Sequence, residues 1–175
     1  MTIRDLLPAT IKTRRLILRR PELADLSDIV ALLANWNVVA TTAAIPFPYE
    51  QRDGQQFLTT LDQPELPRNY AIADADNRLM GIIGLKCAAG QPPELGYWLG
   101  EPFWGQGLVS EASEGLLAAV DATAQVPELR ARVLAGNRAS LRVLQKSGFV
   151  IIEHTTSTLE RHLGQTVIIL RRVTP

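Results

Sequence analysis

The pattern of apolar and polar residues predicts strands and helices in alternation along the chain. Seven segments have the composition of strands, namely residues 14–20, 69–74, 79–86, 94–100, 129–135, 149–157 and 165–173. In the first of them, Leu16 and Leu18 fall on one face. The sequence DADNR, which joins the second and third strands, is typical of a hairpin turn.

Helical spacing of apolar residues predicts four helices between these strands. Leu26, Ile29 and Leu33 recur three or four residues apart, and a second helix is expected over residues 50–62. A third helix of roughly 17 residues begins near residue 108. Its expected apolar face carries Leu108, Ala112, Leu116, Ala119 and Thr123. The fourth helix opens after Asn137 and ends at Gly148, a residue type common at helix ends.

The order of these elements predicts an α+β (mixed α/β) fold in a single domain over residues 1–175. A helix joins strands 94–100 and 129–135, so these two strands are expected to be parallel, whereas the hairpins imply antiparallel neighbours. The expected architecture is a mostly antiparallel seven-stranded sheet with one parallel pair, flanked by about four helices.

The composition, with 46% hydrophobic and 21% charged residues, is that of a globular domain. The 18 basic and 18 acidic residues cancel, which argues against nucleic acid or a membrane surface as a partner. No segment reaches the roughly 18 consecutive apolar residues of a membrane span. The single cysteine, Cys87, favours a reducing, cytoplasmic location. His154 and His162 lie outside any ligand-like cluster, so no metal is expected.

The segment PFWGQGLVSEA, residues 102–112, places Gly105 and Gly107 between a predicted strand and a predicted helix. Glycine permits positive φ and leaves no Cβ in the way of a ligand. The helix start adds unpaired N–H donors and partial positive charge, which suit a pyrophosphate. A tight turn without a ligand explains the two glycines equally well. The loop differs from a Walker loop and lacks the third glycine of the dinucleotide fingerprint.

Two motifs taken together, ELGYWLGEPFWGQGLVSEA and NRASLRVLQKSGF, resemble the GNAT superfamily of acetyl-CoA-dependent N-acetyltransferases. The opening TRRLILRRP and the proline-aromatic segment AAIPFPY are similar to its RimJ/RimL-type branch, the ribosomal-protein N-terminal acetyltransferases. The resemblance covers about residues 13–172. It implies acetyl-CoA as co-substrate, a primary amine as acceptor and direct attack in a ternary complex.

The resemblance also implies where coenzyme A binds. Its pyrophosphate is expected on backbone N–H groups of Trp104, Gly105, Gln106, Gly107 and Leu108. The superfamily splays its parallel strands, so that the pantetheine lies between them and the backbone of Tyr97, Trp98 and Leu99 binds the thioester carbonyl. Asn137 is expected to face the pantetheine, and it is equally a candidate N-cap. Pro102 stands where the superfamily pattern has Gln or Arg, which leaves the pyrophosphate contact to backbone donors.

Acetylation of an amine calls for a base, because amino groups with a pKa of about 8 to 10.4 are mostly protonated at pH 7. Glu94, which opens the strand before the glycine loop, is the candidate base; a solvated charge at a strand edge is its alternative. Ser140 lies where Rim-type enzymes place a hydroxyl that can protonate the leaving thiolate; a serine in a helix first turn is its alternative.

The acceptor is open between a protein N-terminus and a small-molecule amine. Phe47 and Tyr49, in the proline-aromatic segment, are candidates to line its pocket. Two other classes of function compete with the transferase: a coenzyme A sensor without transferase activity, and a nucleotide-dependent regulator that uses the glycine loop. A homodimer is a tendency of the superfamily and is open for this chain.

Overall fold

A computed structural model of the chain describes residues 3–61, 63, 68–88 and 90–174. The strands are β1 Ile11–Lys12, β2 Ile17–Arg19, β3 Asn69–Ala73, β4 Leu79–Lys86, β5 Glu94–Leu99, β6 Glu128–Leu134, β7 Val150–Thr156 and β8 Thr166–Val173. They form one sheet in the order β1-β2-β3-β4-β5-β6-β8-β7. Among these described strands, β5 and β6 run parallel, and every other neighbouring pair is antiparallel.

Helices pack on both faces of the sheet. Those described are α1 Ile3–Leu6, α2 Leu26–Leu33, α3 Trp36–Val39, α4 Gln51–Thr60, α5 Leu108–Asp121 and α6 Arg138–Lys146. On one face, Ile29 and Leu33 of α2 pack with Ile82 of β4. On the other face, Leu116 of α5 and Leu144 of α6 belong to a second cluster with neighbouring strand residues. Because the glycine loop leads directly into α5, it lies on the same face of the sheet as α5.

Alternation along β5 divides its side chains between the two faces. Leu95 and Leu99 are buried against the α5/α6 face, and Tyr97 packs there as well. Trp98 packs on the α2/α4 face. Successive side chains of a strand point to opposite faces, so β5 presents one set of residues to the glycine-loop side and another to the α2/α4 side.

The apolar face of α5 holds it on the sheet. Leu108, Ala112 and Leu116 are buried as the spacing predicts, and Ala119 is half-buried. Thr123 was expected on this face but lies beyond the helix end, because α5 stops at Asp121; Leu117 and Val120 complete the buried face. Each buried Leu or Val contributes about 1.5–3 kcal/mol through its removal from water.

The α+β fold class predicted from the sequence is confirmed, with differences at the edges of the sheet. An eighth strand, β1, pairs with β2, and β2 is shorter than predicted because the chain turns at 13–16, where Thr13 N–H donates to the Leu16 carbonyl at 3.0 Å. The four-residue helices α1 and α3 were not predicted. Tyr49 is 8% exposed in the α2/α4 core, so it does not line an open pocket. Within the described residues, none of the helices is both long and apolar enough to cross a membrane.

Candidate active site

The parallel strands β5 and β6 separate after two residues. Their register consists of Glu94 opposite Arg130 and Leu95 opposite Ala131. Beyond this point β5 continues along β4 and β6 continues along β8. Among the described residues, no strand pairs with the facing edges of residues 96–99 and 132–134. The predicted splay is therefore present, and unpaired backbone groups of this kind bind an extended ligand as a strand would be bound.

The glycine loop lies between the end of β5 and the start of α5. Gly105 and Gly107 have φ of 74° and 73°, in the region that favours glycine. A Cβ on Gly105 would meet no atom within 4 Å, and one on Gly107 would meet Arg15 Nη2 at 3.8 Å. Gly105 therefore faces open space, and Gly107 has one neighbour at ordinary contact distance, so steric packing does not explain either missing side chain.

Backbone donors at the start of α5 face no partner within the helix. Gly107 is the N-cap, and the Glu111 N–H donates to its carbonyl at 3.1 Å. The N–H groups of Leu108, Val109 and Ser110 precede that bond, so the helix geometry gives them no intrahelical acceptor. Together with the helix dipole they make this end of α5 suited to an anion.

Two side chains of the loop are committed to its own backbone. The Trp104 indole N–H donates to the Leu99 carbonyl at 2.7 Å, which ties the loop to the end of β5. The Gln106 amide donates to the Pro102 carbonyl at 3.3 Å. With these two side chains engaged, the loop backbone is what remains to bind a ligand.

Asn137, Ser140 and Tyr97 meet beside the gap between β5 and β6. Asn137 caps α6, since its Oδ1 accepts the Ser140 N–H at 3.1 Å. The Ser140 hydroxyl lies 2.7 Å from the Tyr97 phenol. Burial raises the pKa of that phenol to about 12, and the hydrogen bond to Ser140 acts weakly in the opposite direction. The phenol is therefore neutral and can donate to Ser140 at any physiological pH.

Glu94 lies at the point where the two strands begin to separate. Its carboxylate pairs with Arg132 on β6, with 3.0 Å between Oε2 and Nε. Tyr97 lies three positions further along β5, about 10 Å at the usual rise. Glu94 is therefore outside direct hydrogen-bond reach of the expected thioester site, and a catalytic role would require water between its carboxylate and the acceptor amine. No contact in the structure tests the assignment of Glu94, which stays a prediction.

A half-exposed aromatic surface lies on the α2/α4 side near the end of β5. Trp36 of α3 and Phe47 have ring centroids 5.0 Å apart in an edge-to-face contact, and they are 48% and 43% exposed. The Arg161 guanidinium lies 5.6 Å from the Trp36 ring and donates to the Thr42 carbonyl at 3.1 Å. Asn37 of α3 donates to Glu101, just after β5, at 3.0 Å. This surface is the candidate acceptor side.

Two sets of contacts at the site were not predicted from the sequence. Tyr97 was expected to act through its backbone alone, whereas its phenol contacts Ser140. Arg15 was given no role, yet its guanidinium donates to the Gln106 carbonyl of the glycine loop at 3.0 Å. Because the partners are 43 and 91 residues apart in the chain, no local pattern indicates either contact. The TRRL segment quoted for the family resemblance was the available signal for Arg15.

Within the described residues, no group of three or more His, Cys, Asp or Glu side chains is placed to hold a metal ion.

Residues 15–150 match a family model described as the acetyltransferase (GNAT) domain. No curated protein is a significant sequence match to the chain.

Three solved structures illustrate the similarity of the fold. The microcin C7 self-immunity acetyltransferase MccE, solved with acetyl-CoA and AMP, has a TM-score of 0.83 at 20% identity over 96% of this chain and 98% of its own. The RimL ribosomal L7/L12 α-N-protein acetyltransferase, solved with coenzyme A, has a TM-score of 0.81 at 18% identity over 94% of this chain and 97% of its own. The spermidine N-acetyltransferase of Vibrio cholerae, solved with CoA and spermine, has a TM-score of 0.78 at 19% identity over 91% of this chain and 95% of its own.

The family match covers most of the chain, and the splayed strand pair and glycine loop lie inside it. The chain therefore belongs to the GNAT acetyltransferase domain family, as its two motifs predict.

Proposed function

We propose that the protein transfers an acetyl group from acetyl-CoA to a primary amine by direct attack in a ternary complex. The observation that carries the proposal is the gap between β5 and β6, beside the glycine loop that follows the end of β5. An extended chain with an anionic end matches a slot of unpaired backbone groups that leads to a helix N-terminus. Coenzyme A has this form.

The residues at the site fit coenzyme A. The open space at Gly105, just before the α5 N–H groups, leaves room for a pyrophosphate. On the free edge of β5, Tyr97 and Leu99 offer backbone N–H groups to a thioester carbonyl. The Trp98 N–H, expected there as well, faces β4 instead, because the Gly100 N–H donates to the Met80 carbonyl of β4 and amide directions alternate along a strand. Acetyl-CoA would supply the acetyl group as an activated thioester, and the fixed N–H groups would stabilise negative charge that develops on the carbonyl oxygen.

Proton movement is assigned to two side chains on opposite sides of the gap. Glu94 takes a proton from the acceptor amine through water, which leaves the nitrogen lone pair free to attack. Ser140 gives a proton to the departing sulfur. The Tyr97 phenol and Ser140 Oγ share a hydrogen bond that either atom can donate. We assign the donor role to Tyr97, which leaves the Ser140 hydrogen free to point into the gap. A thiol pKa of about 8.5 makes this acid less important than the base.

The acceptor is proposed to approach from the α2/α4 side, past Trp36 and Phe47. Among proteins of similar fold, RimL is a protein α-amine acetyltransferase and another is a spermidine acetyltransferase. Both acceptors are primary amines, so a protein N-terminus and a small-molecule amine are the two classes to test. The single cysteine agrees with action in the cytoplasm.

Two measurements test this function in sequence. Calorimetry with coenzyme A and acetyl-CoA is expected to give binding in the micromolar range, and absence of binding at millimolar concentration would exclude the proposal. Thiol release from acetyl-CoA is then measured with N-terminal peptides, polyamines, amino acids and aminoglycosides. Binding without thiol release from the whole panel would favour the coenzyme A sensor. Thermal stabilisation by ATP or NAD, but not by coenzyme A, would favour the nucleotide-dependent regulator.

A further inference from the structure

The guanidinium of Arg15 joins the N-terminal hairpin to the glycine loop. Arg15 lies in the turn between β1 and β2, and its Nη1 donates to the Gln106 carbonyl at 3.0 Å. Its Nε donates to Glu111 Oε2 in the first turn of α5 at 2.6 Å. One planar side chain thus contacts both the loop and the helix that the loop leads into.

Glu111 holds this guanidinium in place. Its Oε1 accepts the Arg15 backbone N–H and the Thr13 hydroxyl, both at 2.6 Å. Its side chain is 14% exposed, compared with 39% for Arg15. Partial burial pushes the pKa of the Glu111 carboxyl upward, but the hydrogen bonds from Thr13 and Arg15 together outweigh burial and hold that pKa below its ordinary value. The carboxylate is therefore ionised at neutral pH and keeps the contact charge-assisted.

The contact with Gln106 fixes the direction of a proposed cofactor donor. The Gln106 carbonyl and the Gly107 N–H belong to the same planar, trans peptide unit, so they point in opposite directions. When Arg15 holds the carbonyl on the hairpin side, the Gly107 N–H points away from the hairpin. This peptide unit rotates about ψ of Gln106 and φ of Gly107, and glycine at the second position widens the range of φ that it can adopt. The Arg15 contact restricts this rotation.

We infer that Arg15, held by Glu111, is a positioning residue that orients the Gln106–Gly107 peptide to receive the pyrophosphate of coenzyme A. This inference rests on the proposed function. It assigns Arg15 no contact with the phosphate: the side chain works through the loop backbone, and its charge is balanced by Glu111. Orienting the donor before the ligand arrives lowers the cost of ordering the loop on binding.

Electrostatic attraction and positioning make opposite predictions for Glu111. Glu111 is an anion in the helix turn where the pyrophosphate is expected. If charge alone matters, Glu111→Ala removes a repulsive group and tightens coenzyme A binding. If Glu111 acts by holding Arg15, the same substitution weakens binding. Glu114→Ala, which removes an exposed acid three residues further along α5, is the matched control.

The test is calorimetry of coenzyme A with the full chain, combined with steady-state kinetics. Arg15→Ala and Glu111→Ala are each expected to raise Kd, and KM for acetyl-CoA, about tenfold, in line with loss of a charge-assisted hydrogen bond. The kcat value and the acceptor KM are expected to change by less than about twofold. Arg14→Ala, at the exposed neighbouring position, and Glu114→Ala are expected to bind like the wild type.

Arg15→Lys separates positioning from charge. A lysine ammonium lacks the planar fork that contacts Glu111 and Gln106 together, so Arg15→Lys is expected to bind as weakly as Arg15→Ala. Recovery of wild-type affinity in Arg15→Lys, or tighter binding by Glu111→Ala, would overturn the inference while leaving the proposed function intact. So would a lowered melting temperature with unchanged Kd. Failure of the wild type to bind coenzyme A would overturn both.

Discussion

The Tyr97 phenol and the Ser140 hydroxyl lie 2.7 Å apart, and they join β5 to the first turn of α6 beside the gap between β5 and β6. The two residues come from the two motifs that carry the family resemblance. Their contact means that the motifs meet at one point of the site and that the proposed proton donor has a fixed partner. Ser140 is also the residue whose N–H is capped by Asn137, so its backbone and its side chain are both held.

We expect Ser140→Ala and Tyr97→Phe each to lower kcat by roughly tenfold, because each removes part of the same donor arrangement. The double variant is expected to be no slower than the slower single variant, since residues that act together are not additive. Saturating steady-state kinetics of the four proteins gives the answer. Independent, multiplicative effects would show that Tyr97 does not act through Ser140.

Gly105→Val is expected to weaken coenzyme A binding by at least about a hundredfold, because its side chain would occupy the open space expected to hold the pyrophosphate. Positive φ adds a strain of about 1–2 kcal/mol in any L-residue. Gly90→Val controls for that strain, since Gly90 has φ of 71° and its Cβ would also meet open space. Calorimetry should find normal binding in Gly90→Val; equal loss in both variants would place the cofactor elsewhere.

Glu94→Gln is expected to lower kcat by about a hundredfold, because the amide cannot accept the amine proton. Glu128→Gln is the matched control, since that acid also opens a strand of the site and pairs with an arginine, Arg130. Rates measured over a range of pH compare the two. An unchanged rate in Glu94→Gln would return Glu94 to a structural ion pair with Arg132.

All three tyrosines of the chain are expected to lose their phenol protons at a higher pH than a free tyrosine does. Burial raises the pKa of Tyr49, Tyr70 and Tyr97 to about 12, against an ordinary value near 10. Between these values the unfolded chain has lost phenol protons that the native chain retains, so stability falls as pH rises from about 10 to about 12. Absorbance at 295 nm should show phenolate only above about pH 11 in the native protein, and near pH 10 in denaturant. A native titration near pH 10 would contradict the burial of these phenols.

The sequence predicted most of the fold because its signals are local. Alternation places Leu16 and Leu18 in the core, and helical spacing places Ile29 and Leu33 there. The prediction from the sequence was wrong where a turn interrupts a strand-like pattern. Residues 14–20 were expected to form one strand, but the Thr13 N–H donates to the Leu16 carbonyl in a turn, and β1 and β2 form a hairpin around it. The arginines of RRLILRR do not indicate this turn, since arginine occurs both in strands and in turns.

The sequence by itself determined the class of protein. The two glycines and the two motifs depend on residue types at fixed spacing, and a family resemblance detects such spacing directly. The tertiary structure decided which side chains contact each other: Tyr97 with Ser140, and Arg15 with Gln106 and Glu111. The physical reason is that these contacts join distant parts of the chain, which the sheet order and the packing of α5 and α6 bring together. Local propensity carries no information about them.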